Sequence, residues 1–367
     1  MKKIIQIAFI VCALLFFAFP ILKFNRNGTI SEKENRALAA KPILFKDKNF
    51  NEKIFSEYDA YFNDRFGGRN KLIVLNNAVN KLLHANSIIA NKLALQGQNG
   101  WLYYLGDNNL NDFFKTNLLD QNELISFKGK TENAIKWCEA NGIKYLFLIC
   151  PNKHSVYPEN YLFARPKGIT RTDQIIKILK DLNVPYIFPR DYLISKKSEY
   201  TFPLYYETGT HWNQLAAMLT SQLLIEKMHS FFPNYMFPKI KYRIEKIEKS
   251  TYDSIQFMLN LPPALNTRII CAPTEKKYSD LYTYIKNEGI DGIITRASNP
   301  SLPRALIFRD SFFVALEPFV SPFFSETEYH WRQFCETDKE YILQYKPDII
   351  IFEAVERYAP IILNPVF

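Results

Sequence analysis

One apolar run constrains the fold of this chain more than any other feature of its sequence. The segment IKYLFLICP, from Ile143 to Pro151, is almost continuously apolar and has the length of a strand. A strand with apolar side chains at consecutive positions has to be covered on both faces, as strands are in the buried sheets of α/β proteins. The run therefore predicts a central strand with further layers above and below it.

From about Gln96 onwards, strand-length apolar runs alternate with amphipathic stretches of helical length. We predict strands at Gly100 to Leu105, Ile143 to Pro151, Val184 to Phe188, Ala305 to Arg309 and Asp348 to Glu353, and helices over 122–141, 172–182 and 213–231. Such alternation implies crossover connections and a mainly parallel sheet. Chemistry in such sheets collects at the carboxyl ends of the strands. Three loops are therefore candidates for a site: the one after Cys150, the one with His211 and the one with Ser311.

The amino terminus predicts export. Lys2 and Lys3 precede an uncharged run from Ile4 to Leu22, close to the ~20 residues that span a bilayer. The lysines should stay cytoplasmic, so we predict an uncleaved signal anchor over residues 1–22 with the rest of the chain outside the cytoplasm. A cleaved signal peptide is the alternative, but FAFPILKF lacks the small residues of a cleavage site. Residues 23–95 are predicted to form a juxtamembrane, largely helical segment.

Charge, aromatic content and cysteines narrow the classes of function. The net charge of +9 is scattered without an arginine-rich stripe, which argues against a nucleic-acid partner and favours anionic polymers or a membrane surface. The 30 Phe and 22 Tyr favour a sheet-rich interior or a groove that stacks on sugars. No CxxC spacing indicates zinc, and no GxxxxGK[ST], GxGxxG or HExxH motif indicates a nucleotide or metal cofactor. A disulfide among the cysteines beyond Cys12 stays open.

A serine and a histidine are the strongest candidates for chemistry. Ser311 follows the strand ALIFR in the string IFRDSFF, where a serine projects into the cleft. Capping of the next helix by Asp310 and Ser311 is the alternative. A hydroxyl nucleophile needs a base, and a histidine titrates in the right range. His211, in YYETGTHWN, is the candidate, and His154 is its one serious rival, since the other histidines lie in helical or polar stretches.

An ordered set of motifs resembles a known family. SEKENR, GWLYYL, PNKHSVYPENY, THWN, IFRDSF and IIIFEAVERY follow one another along most of the chain. The set is similar to SGNH-hydrolase-like proteins of the AlgX/AlgJ and DHHW type, which act in polysaccharide O-acetylation. The resemblance implies a three-layer SGNH-like domain over residues 96–367, with Ser311 as nucleophile and His211 as base. It also implies a multi-pass membrane acyltransferase at the inner membrane that supplies acetyl groups.

The chain departs from the family at one position. The family usually has an aspartate two residues before the histidine, and this chain has Gly209 there. Glu207 would share a face with His211 in an extended segment and is one candidate for the orienting carboxylate. A backbone carbonyl that fixes the imidazole tautomer is a second possibility, and a degenerate site is the third.

Four further residues are candidates for binding an oxyanion or substrate. Asn152 and Lys153 follow the central strand, Asp310 precedes the serine, and Trp212 follows the histidine. Turn formation, helix capping and core packing are their structural alternatives. The predicted function is an exported O-acetyltransferase that works through an acyl-serine, with an esterase or a non-catalytic polysaccharide-binding scaffold as alternatives.

Overall fold

The computed structural model describes two compact units, one formed by residues 1–91 with 252–263 and the other by 92–251 with 264–367. The residues that it describes are 7, 9–11, 14, 18–19, 22–26, 30–31, 36–46, 49–68, 72, 90, 92–251, 253–259, 261, 264–287 and 292–363.

The described part of the first unit contains short ribbons and a helix of 12 residues. Strand β1 (Ile30–Ser31) pairs with β2 (Arg36–Ala37), and β3 (Phe45–Lys46) pairs with β4 (Asn49–Phe50). Helix α1 spans Ile54–Arg65, and a short helix spans Ser254–Met258. The predicted anchor over residues 1–22 lies mostly outside the described residues, and so does the part of the predicted helical segment (23–95) that follows Gly68. Among those that are described, no helix is both long and apolar enough to cross a bilayer.

The second unit is built on a seven-stranded sheet. Its strands are β7 (Lys144–Cys150), β8 (Tyr186–Ile187), β11 (Tyr282–Asn287), β12 (Ile293–Ala297), β13 (Ala305–Phe308), β14 (Glu326–His330) and β15 (Ile349–Val355), in the spatial order β11-β12-β14-β13-β15-β7-β8. The five strands from β14 to β8 are parallel, whereas β12 is antiparallel to both β11 and β14. The α/β class is confirmed, and the sheet is mixed: its pairings are parallel except for the two that β12 makes with β11 and β14. The antiparallel pairing of β11 with β12 follows from the short connection between them. A parallel pair would need a crossover connection of about a dozen residues or more.

Helices cover both faces of the sheet and create two cores. They are α2 (Asn109–Phe114), α3 (Gln121–Ala140), α4 (Lys153–Val156), α5 (Arg171–Asp181), α6 (Arg190–Lys196), α7 (Gln214–Phe231), α8 (Tyr278–Leu281), α9 (Glu317–Val320) and α10 (Asp338–Tyr345). Along β7, Leu146 and Leu148 belong to the core that includes α7, while Phe147 and Ile149 belong to the core that includes α3 and α5. Successive side chains of a strand point to opposite faces, which explains the continuous apolar run.

Two ribbons lie outside the large sheet. The predicted strand at Gly100 to Leu105 is β6 (Leu102–Tyr104), which pairs with β5 (Ala94–Gln96). The long strands β9 (Tyr242–Thr251) and β10 (Ala264–Pro273) form an antiparallel pair. The three predicted helices are confirmed within one residue at each end. Side chains of Asp120, Thr170 and Asn213 cap them by accepting hydrogen bonds from the first-turn amides.

Candidate active site

Three neighbouring parallel strands end at one edge of the sheet. β13, β15 and β7 are adjacent in that order, and Val355 at the end of β15 lies opposite Cys150 at the end of β7. Ser311 lies just beyond β13 and Asn152 just beyond β7. The edge is therefore the carboxyl-terminal edge at which α/β sheets carry their sites.

Ser311 and His211 meet at this edge. Ser311 opens a 3₁₀ helix, Ser311–Ala315, and its Oγ lies 2.8 Å from Nε2 of His211. The other ring nitrogen, Nδ1, lies 2.9 Å from the hydroxyl of Thr210. When the Thr210 oxygen accepts the Nδ1 proton, Nε2 is left as an acceptor for the serine proton, which is the arrangement that a general base requires.

A second contact ties the two loops together. The indole N–H of the fully buried Trp212 donates to the carbonyl oxygen of Phe312 at 2.9 Å. The ring of Phe312 also lies 4.9 Å from that of His211, centroid to centroid. Because Trp212 follows His211 and Phe312 follows Ser311 in the chain, the contact fixes the serine turn relative to the histidine loop. Trp212 therefore has a core position and does not present its N–H to a ligand.

The histidine loop is a tight hairpin. Tyr205 and Trp212 form an antiparallel bridge, and the amide of Asn213 donates to the carbonyl of Leu204 at 3.0 Å. Nearer the tip, the amide of Tyr206 donates to the carbonyl of His211 at 3.1 Å. His211 thus follows a closed turn whose backbone conformation is fixed by these hydrogen bonds.

Asp310 organises the backbone around Ser311. Its carboxylate accepts from the amide of Phe312 at 2.8 Å and from the amide of Val355 at 2.7 Å. Its own amide donates to Glu353 Oε2 at 2.8 Å. The carboxylate is therefore a cap and a bridge between two strand ends, so the capping alternative describes it better than an oxyanion or substrate contact.

Glu353 is a buried carboxyl beneath the turn that carries Ser311. Burial raises its pKa well above the ordinary value of 4.5, and the neighbouring Asp310 carboxylate raises it further. The folded chain therefore holds this proton more tightly than the unfolded chain. Stability from this group is complete below about pH 4.5 and falls as the pH rises towards the raised pKa, by up to ~1.4 kcal/mol per pH unit.

Substitution of Glu353 by glutamine is expected to flatten this pH dependence. The amide oxygen of glutamine still accepts from the Asp310 amide, and no proton is exchanged on unfolding. We expect the urea midpoint of Glu353→Gln to change less than that of the parent protein between pH 5 and pH 7. Equal slopes for the two proteins would contradict the buried, protonated state of Glu353.

The carboxylate of Glu207 does not reach His211. The residue is exposed, and its carboxylate makes no hydrogen bond within the described part of the chain. Its backbone carbonyl is the part that is used, since it accepts from the amide of Leu102 at 2.8 Å and from Lys153 Nζ at 2.7 Å. Thr210, which the sequence reasoning passed over, occupies the Nδ1 side of the imidazole.

Lys153 and Asn152 differ in what they offer to a substrate. The ammonium group of Lys153 is directed into the protein and donates to backbone carbonyls. Asn152 is buried, its amide N–H donates to Glu356, and its Oδ1 accepts from Arg357 at 3.2 Å. Its Nδ2 has no hydrogen-bond partner among the described residues. Of the four residues predicted to bind an oxyanion or substrate, Asn152 alone thus keeps an unused donor within the part of the chain that is described.

The rival histidine has a structural role. His154 is 1% exposed, and its Nε2 lies 2.7 Å from Oδ1 of Asn109. Burial lowers its pKa to about 3, so it stays neutral at physiological pH. His330 pairs with Glu328 and His229 is exposed on α7, whereas His84 lies outside the described residues.

The described cysteines are thiols. Cys138, Cys150 and Cys271 are buried, and Cys335 is partly exposed. Burial raises the pKa of the Cys138 and Cys271 thiols to about 12. These four residues therefore form no disulfide with one another, which resolves the open question from the sequence.

Comparisons with known proteins agree with this architecture. Residues 94–268 match the family described as "SGNH hydrolase-like domain, acetyltransferase AlgX". PatB1 of Bacillus cereus is 14% identical, with a TM-score of 0.54 over 74% of this chain and 97% of that one. A DHHW family protein from Eubacterium siraeum is 14% identical, with a TM-score of 0.51 over 74% of this chain and 94% of that one. These two show a shared fold.

A further similar structure is the O-acetyltransferase domain of Pseudomonas putida AlgJ, which is 17% identical, with a TM-score of 0.47 over 73% of this chain and 92% of that one. No curated protein sequence matches the chain.

Proposed function

Since this chain carries an SGNH hydrolase-like domain of the AlgX acetyltransferase type over residues 94–268, as its motifs predicted, we propose that it transfers acetyl groups to hydroxyls of a polysaccharide. The observation that carries the proposal is the 2.8 Å separation of His211 Nε2 and Ser311 Oγ. General-base activation requires a heavy-atom distance of about 2.6–3.2 Å.

The first half-reaction makes an acyl-serine. Ser311 Oγ attacks the carbonyl carbon of an acetyl ester while His211 Nε2 takes the hydroxyl proton. The tetrahedral intermediate collapses, the bond to the donor oxygen breaks, and the imidazolium returns the proton to that leaving oxygen. The acetyl group is then bonded to Ser311, and His211 is neutral again.

The second half-reaction releases the acetyl group to the acceptor. A sugar hydroxyl gives its proton to His211 and attacks the acetyl-serine, and the serine oxygen leaves with the proton from the imidazolium. The same acyl-serine reacts with water if water reaches it first, which would make the protein an esterase. The outcome therefore depends on what fills the acceptor position.

Asn152 is the side chain that we propose for the developing oxyanion. Its position at the end of β7, its unused Nδ2 and the Arg357 contact that holds its oxygen support this role. The amide is buried in the free protein, and such contacts tighten only when substrate is bound.

A non-catalytic scaffold is the competing function. Gly209, in place of the family's aspartate, favours it, because loss of that carboxylate costs on the order of 10⁴ in rate in a Ser-His-Asp site. The hydrogen bond that the imidazole Nδ1–H donates to the Thr210 hydroxyl oxygen favours the enzyme, since it supplies the tautomer control that the aspartate otherwise supplies.

We further propose that the domain works outside the cytoplasm, held at the inner membrane by residues 1–22. Lys2, Lys3 and the uncharged run that follows support this location. A multi-pass membrane acyltransferase is the proposed source of acetyl groups. Anchoring beside it would raise the effective concentration of the donor.

Acetylation of the serine and the fate of the acetyl group test the proposal. The protein is incubated with p-nitrophenyl acetate, with and without a panel of neutral, acidic and amino-sugar oligosaccharides. We expect mass spectrometry to find one acetyl group on the Ser311 peptide, and acetylated sugar to form with a suitable acceptor. Free acetate alone with every acceptor would indicate an esterase, and no acetyl on Ser311 of the folded protein would indicate a scaffold.

Replacement of Thr210 by valine is expected to slow acetylation of Ser311 by roughly 10–100-fold. Valine keeps the shape of threonine but removes the hydroxyl beside Nδ1, and a hydrogen bond to a charged group contributes about 1.5–3 kcal/mol. The measurement is the rate of the p-nitrophenol burst. Thr210→Ser, which keeps the hydroxyl, should remain close to the parent rate, and a Thr210→Val burst as fast as that of the parent would remove Thr210 from the site.

A further inference from the structure

We infer that Lys153 is a positioning residue whose ammonium group binds the carbonyls of the turn before His211 and so holds the imidazole against Ser311. The inference rests on the proposed function, because it gives Lys153 a part in the same acyl-transfer site. It differs from the sequence-based prediction, in which Lys153 contacts an oxyanion or a substrate.

Four backbone carbonyl oxygens surround the ammonium nitrogen. Lys153 Nζ lies 2.8 Å from the carbonyl of Tyr206, 2.7 Å from that of Glu207 and 2.9 Å from that of Gly209. A fourth carbonyl, from Leu102 in β6, lies at 2.6 Å. The residue is 5% exposed, so these oxygens replace the hydration shell that the charge loses on burial.

The three carbonyls of the turn belong to the segment that leads directly into His211. Carbonyl groups so close in the chain point to one atom only when the intervening backbone dihedral angles are fixed. The amide of Gly209 also donates to the carbonyl of Tyr206 at 3.3 Å, which closes the turn. The ammonium group is therefore the centre around which the turn is built.

The surroundings of Lys153 strengthen the hydrogen bonds from its ammonium group to the four carbonyls. The rings of Trp101 and Tyr103 lie 5.0 and 5.1 Å from Nζ, measured to their centroids. Cations are attracted to ring faces, and the apolar walls keep water from competing for the carbonyls. Lys153 is also the first residue of α4, which follows β7. Its hydrogen bonds therefore fix the histidine turn relative to a central strand of the sheet.

The contact with Lys153 also gives residue 209 a role in orienting the histidine turn, although this residue has no carboxylate. The family's aspartate would act there through its side chain, whereas Gly209 acts through its carbonyl oxygen, which Lys153 binds. In this chain the orientation of His211 is thus divided between two groups. Lys153 fixes the backbone of the turn, and Thr210 contacts the ring.

Substitution of Lys153 by methionine tests the inference, with Lys197→Met as the matched control. Lys197 Nζ also lies over a tyrosine ring and donates to one backbone carbonyl, that of Val156 at 2.9 Å, but it does not contact the histidine turn. Three kinds of measurement are made on the full chain: steady-state kinetics with p-nitrophenyl acetate for kcat and KM, hydrogen exchange of the amides of Tyr206, Gly209 and Asn213, and urea unfolding for the midpoint.

For Lys153→Met we expect kcat to fall by about 100-fold, as for a misplaced catalytic group, and the turn amides to lose protection. KM should stay within about twofold, because the lost interaction acts on the transition state. Lys153→Arg, which keeps the charge and several donors, should recover part of both kcat and protection. Lys197→Met should match the parent protein in both.

Two results would overturn the inference: a Lys153→Met protein with the parent kcat, or one with reduced kcat whose turn amides exchange as in the parent. If Lys153→Met does not fold, Lys153→Gln, whose amide keeps two N–H donors, is judged by the same criteria. If the parent protein has no turnover and no acetyl on Ser311, the proposed function fails. The exchange data then still decide whether Lys153 holds the turn.

Discussion

Ser311→Ala is expected to abolish labelling by a fluorophosphonate and to reduce acetyl transfer by on the order of 10⁴–10⁶-fold. The variant lacks the oxygen that forms the covalent bond, while the turn that carries residue 311 keeps its cap from Asp310. Labelling is read by gel fluorescence of the folded protein, and transfer by the amount of acetylated sugar.

His211→Ala should retain a slow reaction, because removal of a general base typically costs about 10²–10⁴-fold. His229→Ala is the matched control, since His229 is an exposed histidine on α7 that packs edge-on against Phe237 and lies in no proposed site. Equal labelling of His211→Ala and the parent protein would show that the 2.8 Å contact with Ser311 does not activate the serine.

Asp310→Ala is expected to lower the free energy of unfolding by about 2–6 kcal/mol. The buried amides of Phe312 and Val355 both lose their acceptor, and each unsatisfied buried donor costs about 1–3 kcal/mol. Because native domains are stable by about 5–15 kcal/mol, this is a large share of the total. The urea midpoint, followed by circular dichroism, measures the effect.

Two variants sharpen the Asp310 test. Asp310→Asn keeps one carbonyl oxygen and should lose about half as much stability as Asp310→Ala. Asp191→Ala removes an aspartate whose side chain is 82% exposed in a surface ion pair, and such pairs contribute ~1 kcal/mol or less. If the urea midpoint of Asp310→Ala differs from that of the parent protein by no more than the midpoint of Asp191→Ala does, then Asp310 does not bridge the two strand ends.

The parts of the fold that the sequence predicts are those with strong local signals. The run at Ile143 to Pro151 is β7, and the helices over 122–141, 172–182 and 213–231 have caps and apolar periodicity that need no knowledge of distant residues. The pairing of Ser311 with His211 was predicted from strand ends and family motifs, and the structure brings the two atoms within hydrogen-bond distance. Their catalytic roles remain predictions.

Other features depend on partners that are distant in sequence and show no local pattern. The strands β11, β12 and β14 are short and have no long apolar run, so the sequence does not predict the mixed edge of the sheet. The role of Lys153 depends on backbone carbonyls, which carry no signal in side-chain identity. Thr210 could have been noticed, since a hydroxyl beside a candidate base is visible in THWN.

The spacing of Glu353 and Arg357 shows how helical periodicity misleads at the end of a strand. Glu353 and Arg357 are four apart, a spacing that in a helix predicts an ion pair. The chain is a strand up to Val355, so Glu353 points down to the Asp310 amide while Arg357 reaches Asn152. The same spacing thus places one residue beneath the site and the other beside it.

The ribbon of β9 and β10 has a practical consequence for isolating the second unit of the chain. Residues 252–263 leave the second unit at Thr251 and return at Ala264, and they belong to the first unit, in which Ile255 and Leu259 are buried. A truncated polypeptide that begins at Lys92 would therefore keep residues 252–263 but lack the rest of the first unit, and the apolar side chains of this segment would be exposed. Because Thr251 and Ala264 are directly paired, an Asn-Gly turn could join them instead and close the ribbon.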